Sequence, residues 1–247
     1  MLRYFLEVAY KGTKYSGFQV QQNANTIQAE VEKAFFILHR KKVQLTGSSR
    51  TDAGVHALQN FFHFDFEYPL HNQFVYKINA ILPPDIVIKS IKQVSNEAHC
   101  RFDAISREYQ YCIYQYKNPF LQDRAYYYPY KLDVSKLNDA ASLLPGYSDF
   151  TSFSKRNTQV KTFNCKLYKS VWRMENEMLM YNVCANRFLR GMVRALTATM
   201  LKVGRQNLSV EEFKRVIELK DCTKASFAVP AHGLFLSNVY YHTNDER

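Results

Sequence analysis

The spacing of apolar residues predicts a succession of short strands and helices. Residues 3–10 alternate between apolar and polar positions, which is typical of a half-buried strand. A helix is predicted to begin near Asn25, with Gln28 in a capping arrangement three residues later. Its apolar side recurs at helical spacing through Ile27, Val31, Phe35 and Leu38.

The next elements flank a glycine-containing segment at residues 47–56. Strands are predicted at 42–46 and 58–66, the second with aromatic residues at alternate positions. A helix over 70–82 is ended by two prolines, and a strand follows at 85–94. The first hundred residues therefore have the order β-α-β-β-α-β, which is the ferredoxin-like plan that RNA-recognition domains also use.

The second half begins with a strand at 107–116. A helix is predicted from Asp133, which caps it, to Pro145, which ends it. A loop rich in Ser, Thr and Lys covers residues 147–162. The element order of the first half is starting to repeat.

The last elements complete that repeat with one added helix. Strands at 165–173 and 178–185 are predicted to form a hairpin. Helices follow at 188–204 and from Ser209, where Ser-Val-Glu-Glu is a capping box, and a strand at 234–241 closes the chain.

The whole pattern predicts an α+β protein of two ferredoxin-like halves with antiparallel sheets. We assign residues 1–104 to the first half and 105–247 to the second. The two halves share the order of their elements but have no visible sequence similarity. Two such sheets placed edge to edge would leave a cleft, and clefts at domain junctions are common ligand sites. The sequence therefore predicts that the halves join around a central basic cleft.

The charge balance favours a nucleic-acid partner. Lys and Arg number 33 against 22 Asp and Glu, which gives a net charge of +11. A membrane is the weaker choice, because no apolar run approaches the ~18 residues of a membrane span. Arg3, Glu7 and Lys11 interrupt the beginning of the chain, so no signal peptide is expected.

The cysteines and aromatic residues refine this picture. Five cysteines without a C-x-x-C spacing indicate neither a zinc site nor a disulfide framework, so we expect no metal and reduced thiols in the cytoplasm. Eighteen Tyr and eighteen Phe fit RNA binding through base stacking, although most of the Phe residues are assigned to the core.

One short segment carries the strongest chemical signal. Between Gly47 and His56 the chain reads Gly-Ser-Ser-Arg-Thr-Asp-Ala-Gly-Val-His, and Asp52 is the only carboxylate between Glu32 and Asp65. Taken alone, Asp-Ala-Gly is ordinary turn chemistry. The eight residues from Arg50 onward, Arg-Thr-Asp-Ala-Gly-Val-His-Ala, resemble the signature of the tRNA pseudouridine synthase A family.

Three further segments resemble motifs of the same family. They are Arg-Glu-Tyr-Gln-Tyr ending at Tyr111, the arginine-rich stretch 185–194, and Ala-Val-Pro-Ala-His-Gly-Leu-Phe-Leu at 228–236. The resemblance implies that Tyr111 stacks on the target base, that Arg194 pairs with the catalytic aspartate, and that Leu234 packs beside both. From the residues alone, each segment also has a purely structural interpretation. The segment ending at Tyr111 could be a tyrosine ladder in the core, 185–194 a solvated basic face, and 228–236 the start of a core strand.

The stretch 185–194 also carries a helical pattern. Its arginines are predicted to share one arc of the helix, at Arg187, Arg190 and Arg194. A neighbouring arc is apolar and contains Leu189, Met192, Val193, Leu196, Met200 and Val203. Such a helix could dock on a sheet and point cations into a cleft.

The resemblance implies an isomerase that converts uridine to pseudouridine at positions 38, 39 and 40 of the tRNA anticodon arm. Asp52 would act at the ribose C1′ as nucleophile or as base. Arg50 would guide the flipped base, and phosphates would be held by Lys11, Lys14, Arg187 and Arg190. The family works as a homodimer on tRNA and needs no cofactor, and we expect the same here.

The sequence departs from the family pattern at three positions, and two other functions remain open. Ser49 precedes Arg50 where glycine is common, Phe18 replaces a usual tryptophan, and Gly191 replaces a bulkier polar residue. One alternative is a non-catalytic RNA-binding protein of two RNA-recognition-like domains, and another is a related pseudouridine synthase with other target positions. A purely structural protein would not explain the charge of +11.

Overall fold

The computed structural model describes residues 1–156 and 160–242. They form two compact units. One contains the chain up to Ile105 together with the chain from Leu236 onward, and the other is Ser106–Phe235. Helices and mostly antiparallel strands occur in both, so the predicted α+β class is confirmed. In these residues no helix has the length and apolarity to cross a membrane.

The first unit begins with six elements in the predicted order. They are β1 (Leu2–Tyr10), α1 (Ile27–His39), β2 (Thr46–Gly47), β3 (His56–Phe66), α2 (Phe74–Asn79) and β4 (Ile86–Val94). β1 lies between β3 and β4 and is antiparallel to both, with Leu6 opposite Phe62 and Ile91. The end of β1 and the start of β3 are therefore neighbours, since Tyr10 lies opposite Ala57.

The core of the first unit lies between one face of this sheet and α1. Leu6 and Val8 project from alternate positions of β1 and are fully buried. Phe35 of α1 meets Phe64 of β3 edge to face, with ring centroids 4.8 Å apart. This packing fixes the strand ends from which the loops at 11–17 and 47–55 emerge.

The second unit contains a three-stranded antiparallel sheet with helices packed on it. Its elements are β5 (Ala104–Tyr114), β6 (Tyr126–Tyr127), α3 (Val134–Leu143), β7 (Leu167–Glu175), β8 (Met178–Ala185), α4 (Met192–Gly204) and α5 (Val210–Glu218). β8 lies between β5 and β7, and β6 pairs in parallel with the end of β5. The last strand, β9 (Leu234–Tyr241), lies beside β3 in the first unit from Leu236 onward.

Helix α4 is the centre of the second unit. The six apolar residues predicted for one side of this stretch are all buried, and so are Ala195, Ala198 and Leu201. The indole N–H of Trp172 on β7 donates to the sulfur of Met200 at 3.5 Å. A helix that is buried nearly all round has a fixed position, so Arg194 near its start is fixed as well.

The predicted strand at 42–46 is wrong except at its end. The N–H of Leu45 donates to Glu32 Oε1 at 3.1 Å, and its carbonyl accepts from Gln28 Nε2 at 2.8 Å. Because two α1 side chains satisfy this backbone, only β2 pairs with β3. The N-cap of α1 is Thr26 rather than Asn25, because the Thr26 side chain accepts the N–H of Ala29, while the Gln28 amide bonds Leu45.

Two predicted helices are longer than the observed ones. α2 is six residues long rather than spanning 70–82, and the Asn79 side chain at its end bonds both backbone groups of Ile88 at 2.8 Å. α4 begins at Met192 rather than at 188, because Gly191 has a left-handed φ of 75°. Arg187 and Arg190 thus precede the helix, and the predicted helical row of three arginines is wrong.

β6, β7 and the loop at 147–162 also differ from the prediction. β7 begins at Leu167, two residues later than predicted, and β6 has no counterpart in the prediction. Within the predicted loop 147–162, residues 151–153 form a short 3-10 helix, and residues 157–159 lie outside the described residues. The division into functional halves at 104 and 105 stays a prediction.

Candidate active site

The loop that carries Asp52 is bonded along its backbone to the loop at 11–17 and its flank. Phe18 N–H donates to the carbonyl of Thr51 at 3.1 Å, and Gly54 N–H donates to the carbonyl of Tyr15 at 3.3 Å. A tight turn closes inside the loop, where Val55 N–H donates to the carbonyl of Asp52 at 3.2 Å. The Asp52 backbone is therefore held on both sides of the residue.

Two glycines outside the motif allow this close approach. A Cβ atom at Gly12 would lie 1.9 Å from the carbonyl oxygen of Val55, so no larger residue fits there. Gly17 has a left-handed φ of 106°, and a Cβ atom there would lie 3.1 Å from the Thr51 oxygen. The residues that permit the close approach, Gly12 and Gly17, therefore lie on the facing loop and not in the motif itself.

Buried side chains add support at both ends of the loop. The hydroxyls of Tyr10 and Thr51 are 2.8 Å apart and share a hydrogen bond. His56 Nδ1 accepts the N–H of Gly12 at 3.0 Å, which requires an unprotonated nitrogen at that position. Thr51 and His56 therefore have structural roles beside Asp52, which sequence reasoning did not assign.

Asn60 holds the beginning of the same loop. Its side chain is fully buried, and it donates to the Ser49 carbonyl at 2.8 Å and accepts the Ser49 N–H at 3.3 Å. Sequence reasoning missed this residue. The signal that could have found it is a polar side chain in register with Phe62 and Phe64 on the buried face of β3.

Asp52 itself is half-buried at the turn of the loop. Among the described residues of its unit, its carboxylate has no hydrogen-bond or ion-pair partner, and the same holds for the exposed guanidinium of Arg50. An ionised carboxylate can accept hydrogen bonds, remove a proton or attack an electrophilic carbon. The loop thus presents a carboxylate and a guanidinium, two residues apart, on a fixed backbone.

The two candidate lysines lie on the facing loop. Lys11 and Lys14 are exposed, and the Lys14 ammonium is 3.9 Å from a carboxylate oxygen of Asp85. The hydroxyl of Tyr15 donates to the other oxygen of Asp85 at 2.5 Å, and the Lys11 N–H donates to its carbonyl. The structure therefore places both lysines next to the Asp52 loop, with the Lys11 backbone and the Lys14 ammonium both at Asp85.

Phe18 and Ser49 are the two departures from the family pattern in this region. The Phe18 ring is buried, stacks on Phe62 with centroids 4.5 Å apart, and fills the space beside Gly47. It therefore supports the loop from inside. The hydroxyl of Ser49 is buried and has no hydrogen-bond partner among the described residues.

In the second unit, Tyr111 and Arg194 anchor on adjacent residues of one segment. The Tyr111 hydroxyl donates to the Pro230 carbonyl at 2.8 Å, and Arg194 donates from Nε and Nη2 to the Val229 carbonyl at 3.0 and 2.6 Å. Burial raises the pKa of Tyr111, and the positive charge of Arg194 opposes that rise. The two predicted site residues are therefore close neighbours.

Leu234 follows directly on this segment and is buried. The preceding Gly233 lies against the Tyr111 ring, since a Cβ atom there would be 2.8 Å from Tyr111 Cζ. The structure thus brings Tyr111, Arg194 and the 229–234 segment together in one unit. The pairing of Arg194 with Asp52 stays a prediction.

The remaining cations lie before α4. Arg190 is exposed, and its carbonyl accepts the N–H of Lys155 at 3.0 Å. Burial raises the pKa of the Cys165 thiol to about 11, while the charge of half-buried Arg187 acts in the opposite direction. Lys155, whose side chain packs against Gly191, is a further cation here that sequence reasoning did not name.

Comparison with known proteins assigns the family. The tRNA pseudouridine synthase family model matches residues 7–103 and 140–242. The tRNA pseudouridine synthase A of Parabacteroides distasonis is 44% identical over 243 residues, covering 98% of this chain and 96% of that protein. The enzyme of the same name from Bacteroides fragilis is 45% identical over 242 residues, with coverage of 97% and 96%. That of Staphylococcus aureus is 36% identical over 247 residues, with coverage of 99% and 92%.

The chain belongs to the tRNA pseudouridine synthase family. The resemblance carried by its four motifs is therefore confirmed. So is the predicted enzyme class, an isomerase that forms pseudouridine from uridine in tRNA.

Proposed function

We propose that the chain converts uridine to pseudouridine at positions 38, 39 and 40 of the tRNA anticodon arm, with Asp52 as the essential carboxylate. One observation carries the proposal: the backbone around Asp52 is bonded on both sides, while its carboxylate has no partner among the described residues of its unit. A group that acts on the ribose needs both a fixed position and unoccupied oxygens.

The reaction is an isomerisation with a simple balance of atoms. The N1–C1′ bond of uridine breaks, the uracil turns, and a C5–C1′ bond forms. C5 loses a proton and N1 gains one, so the composition of the nucleoside is unchanged and no cofactor is proposed. Asp52 supplies negative charge at the ribose, either by attacking C1′ or by first removing a ribose proton.

A base inside a helical arm must be flipped out before it can react, at a cost of about a few kcal/mol. Arg50 is exposed two residues from Asp52 on the same loop, which suits a role in guiding that base. We assign phosphate binding to Lys11 and Lys14 on the facing loop, and to Arg187 and Arg190 before α4.

The second unit is proposed to supply the surroundings of the base. Tyr111 would stack on the uracil, Leu234 would pack beside it, and Arg194 would pair with Asp52. The supporting observation is the anchoring of Tyr111 and Arg194 on Pro230 and Val229, which holds both groups in place. An apolar wall would also keep water from the detached uracil.

We further propose that residues 1–104 and 105–247 act as two ferredoxin-like halves around a basic RNA-binding surface, and that the enzyme is a cytoplasmic homodimer. The element order β-α-β-β-α-β of the first 94 residues supports the architecture. None of the five cysteines, all of which lie within the described residues, forms a disulfide, and this supports a reducing compartment.

Release of tritium from C5 tests the reaction. Purified protein is incubated with a tRNA transcript that carries uridine labelled with tritium at C5. The proposal predicts release of label to water in proportion to the pseudouridine formed, because C5 must lose its hydrogen. Tight binding of the tRNA without any release would support the non-catalytic RNA-binding alternative instead.

Arg194→Lys is expected to lower the rate of tritium release about tenfold or more, since a single ammonium cannot reproduce two donors from one planar group. The two bonds to the Val229 carbonyl depend on that planar group. Arg173→Lys, on the exposed end of β7, makes the same exchange away from the site and should leave the rate unchanged. A wild-type rate in Arg194→Lys would remove the guanidinium from its proposed role.

A further inference from the structure

Three tyrosines in the second unit form a row that the proposed mechanism does not use. Residues 124–131 read Arg-Ala-Tyr-Tyr-Tyr-Pro-Tyr-Lys, and we call Tyr126, Tyr128 and Tyr130 the tyrosine row. The ring centroids of Tyr126 and Tyr128 are 5.3 Å apart, and those of Tyr128 and Tyr130 are 4.9 Å apart. Each ring therefore contacts the next along an extended piece of chain.

The backbone of the row is fixed on β5. Tyr126 lies opposite Ile113 in a parallel pair, and the N–H of Tyr128 donates to the Tyr114 carbonyl at 2.9 Å. The side chain of Gln115 donates to the carbonyl of Tyr130 at 2.6 Å. Rings on an anchored backbone lose little freedom when a ligand binds, which favours affinity.

A cation extends the row at its outer end. The guanidinium carbon of Arg205 lies 4.0 Å from the centroid of the Tyr130 ring, and Arg205 is exposed at the end of α4. Tyr130 itself is 48% exposed. Unpaired RNA bases stack on both aromatic rings and guanidinium planes, so this pair offers surfaces of the right kind.

The inner end of the row lies close to the proposed base-binding ring. Tyr126 lies opposite Ile113 on β5, and Tyr111 precedes Ile113 by two residues on the same face of that strand. The row thus leads from the neighbourhood of Tyr111 to the exposed Arg205. A strand of RNA whose base contacts Tyr111 would continue along it.

The charges around the row favour a polyanion over a protein. Lys117, Arg124 and Lys131 lie within residues 115–131, and Asp123 is the one acidic residue of that stretch. Asp123 lies 4.0 Å from Arg124 and offsets part of its charge. Arg205 adds a further cation directly against the Tyr130 ring, so cations outnumber carboxylates in this stretch and its contact, as in proteins that bind single-stranded RNA.

We propose that the tyrosine row and Arg205 form a stacking surface for unpaired nucleotides of the bound tRNA next to the target uridine. The proposal rests on the proposed function for its ligand, the tRNA, and not on the role of Asp52. It adds an RNA contact that none of the four sequence motifs includes.

The affinity of an unmodified tRNA transcript tests this surface. Tyr130→Leu keeps an apolar side chain but removes the aromatic face, and its Kd is expected to rise about tenfold, the loss typical of one stacked base. Tyr168→Leu is the matched control, because Tyr168 is 53% exposed with the ammonium of Lys166 5.7 Å from its ring centroid. Its Kd should equal that of the wild type.

The salt dependence separates stacking from charge. Arg205→Gln should weaken binding and reduce the slope of log Kd against log salt by about 0.7, as expected for one contact to single-stranded RNA. Tyr130→Leu should leave that slope unchanged. A slope change in Tyr130→Leu would overturn the stacking assignment.

Two further outcomes would overturn the proposal. One is a wild-type Kd in both variants, each with the Tm of the parent protein. The other is an altered molar mass in solution with unchanged tRNA affinity, which would assign the row to contact with a second copy of the chain. Failure of the proposed function would be a separate result. Retained tritium release in Asp52→Asn would refute the role of Asp52, but it would not change the tRNA affinities of Tyr130→Leu and Arg205→Gln.

Discussion

Asp52→Asn is expected to reduce pseudouridine formation by about 10³-fold or more, with little change in fold or tRNA affinity. Asparagine has nearly the same shape as aspartate, but its amide neither attacks C1′ nor accepts a ribose proton. The backbone bonds that hold the loop pass through Thr51, Gly54 and the Asp52 carbonyl, so they survive the substitution. Single-turnover tritium release measures the rate, and titration with labelled tRNA measures Kd.

Asp139→Asn provides the matched control for this variant. Asp139 is exposed on α3 in the second unit, and its replacement makes the same chemical change on a solvated helix surface. Full activity is expected there. Turnover that persists in Asp52→Asn would remove the carboxylate from the reaction. A loss of turnover accompanied by a large fall in Tm would show instead that the role of Asp52 is structural.

Gly12→Ala should have the second-largest effect. The added methyl group would lie 1.9 Å from the Val55 carbonyl oxygen, so one of the two backbones must move. A displacement of about 1 Å at a reacting group can lower a rate by about 10²-fold. Forcing atoms into filled space also destabilises a fold by about 1–3 kcal/mol. Tritium release and thermal unfolding should therefore both be impaired.

Gly146→Ala makes the same substitution where space is open. Apart from its chain neighbours and its own helical backbone, no atom of the described residues lies within 4 Å of the Cβ position at Gly146, so rate and Tm should remain those of the wild type. Wild-type activity and stability in Gly12→Ala would show that the close approach of the two loops does not position Asp52.

Alternation of apolar residues predicted most strands well, because it reports burial directly. The strands at 86–94, 178–185 and 234–241 match their predictions within one residue. The same signal failed at 42–46, where Val43 and Leu45 are indeed buried at alternate positions. Alternation does not reveal which groups satisfy the backbone, and here Gln28 and Glu32 of α1 do so.

The start of α4 shows a similar limit of helical periodicity. Leu189 continues the apolar spacing and is buried, yet it lies outside the helix. The left-handed φ of Gly191 sets the boundary, and a glycine inside a periodic pattern does not by itself reveal its φ. The arginines at 187 and 190 were misplaced for this reason.

The residues of the proposed site also divide into those that a local pattern reveals and those that it does not. Asp52, Tyr111, Arg194 and Leu234 could be named from local motifs. Their supports could not, because Gly12 and Val55 meet across 43 positions of the chain, and no local pattern reports such a contact. Asn60 is the exception, since a polar residue in a buried alternation is visible in the sequence.

A position-resolved map of pseudouridine tests the central proposal most directly. Unmodified tRNA transcripts with uridine at positions 38, 39 and 40 and at many other positions are incubated with the purified protein and with Asp52→Asn. We expect pseudouridine at 38, 39 and 40 with the wild-type protein and at no position with the variant. Pseudouridine only at other positions, or the same map with both proteins, would contradict the account.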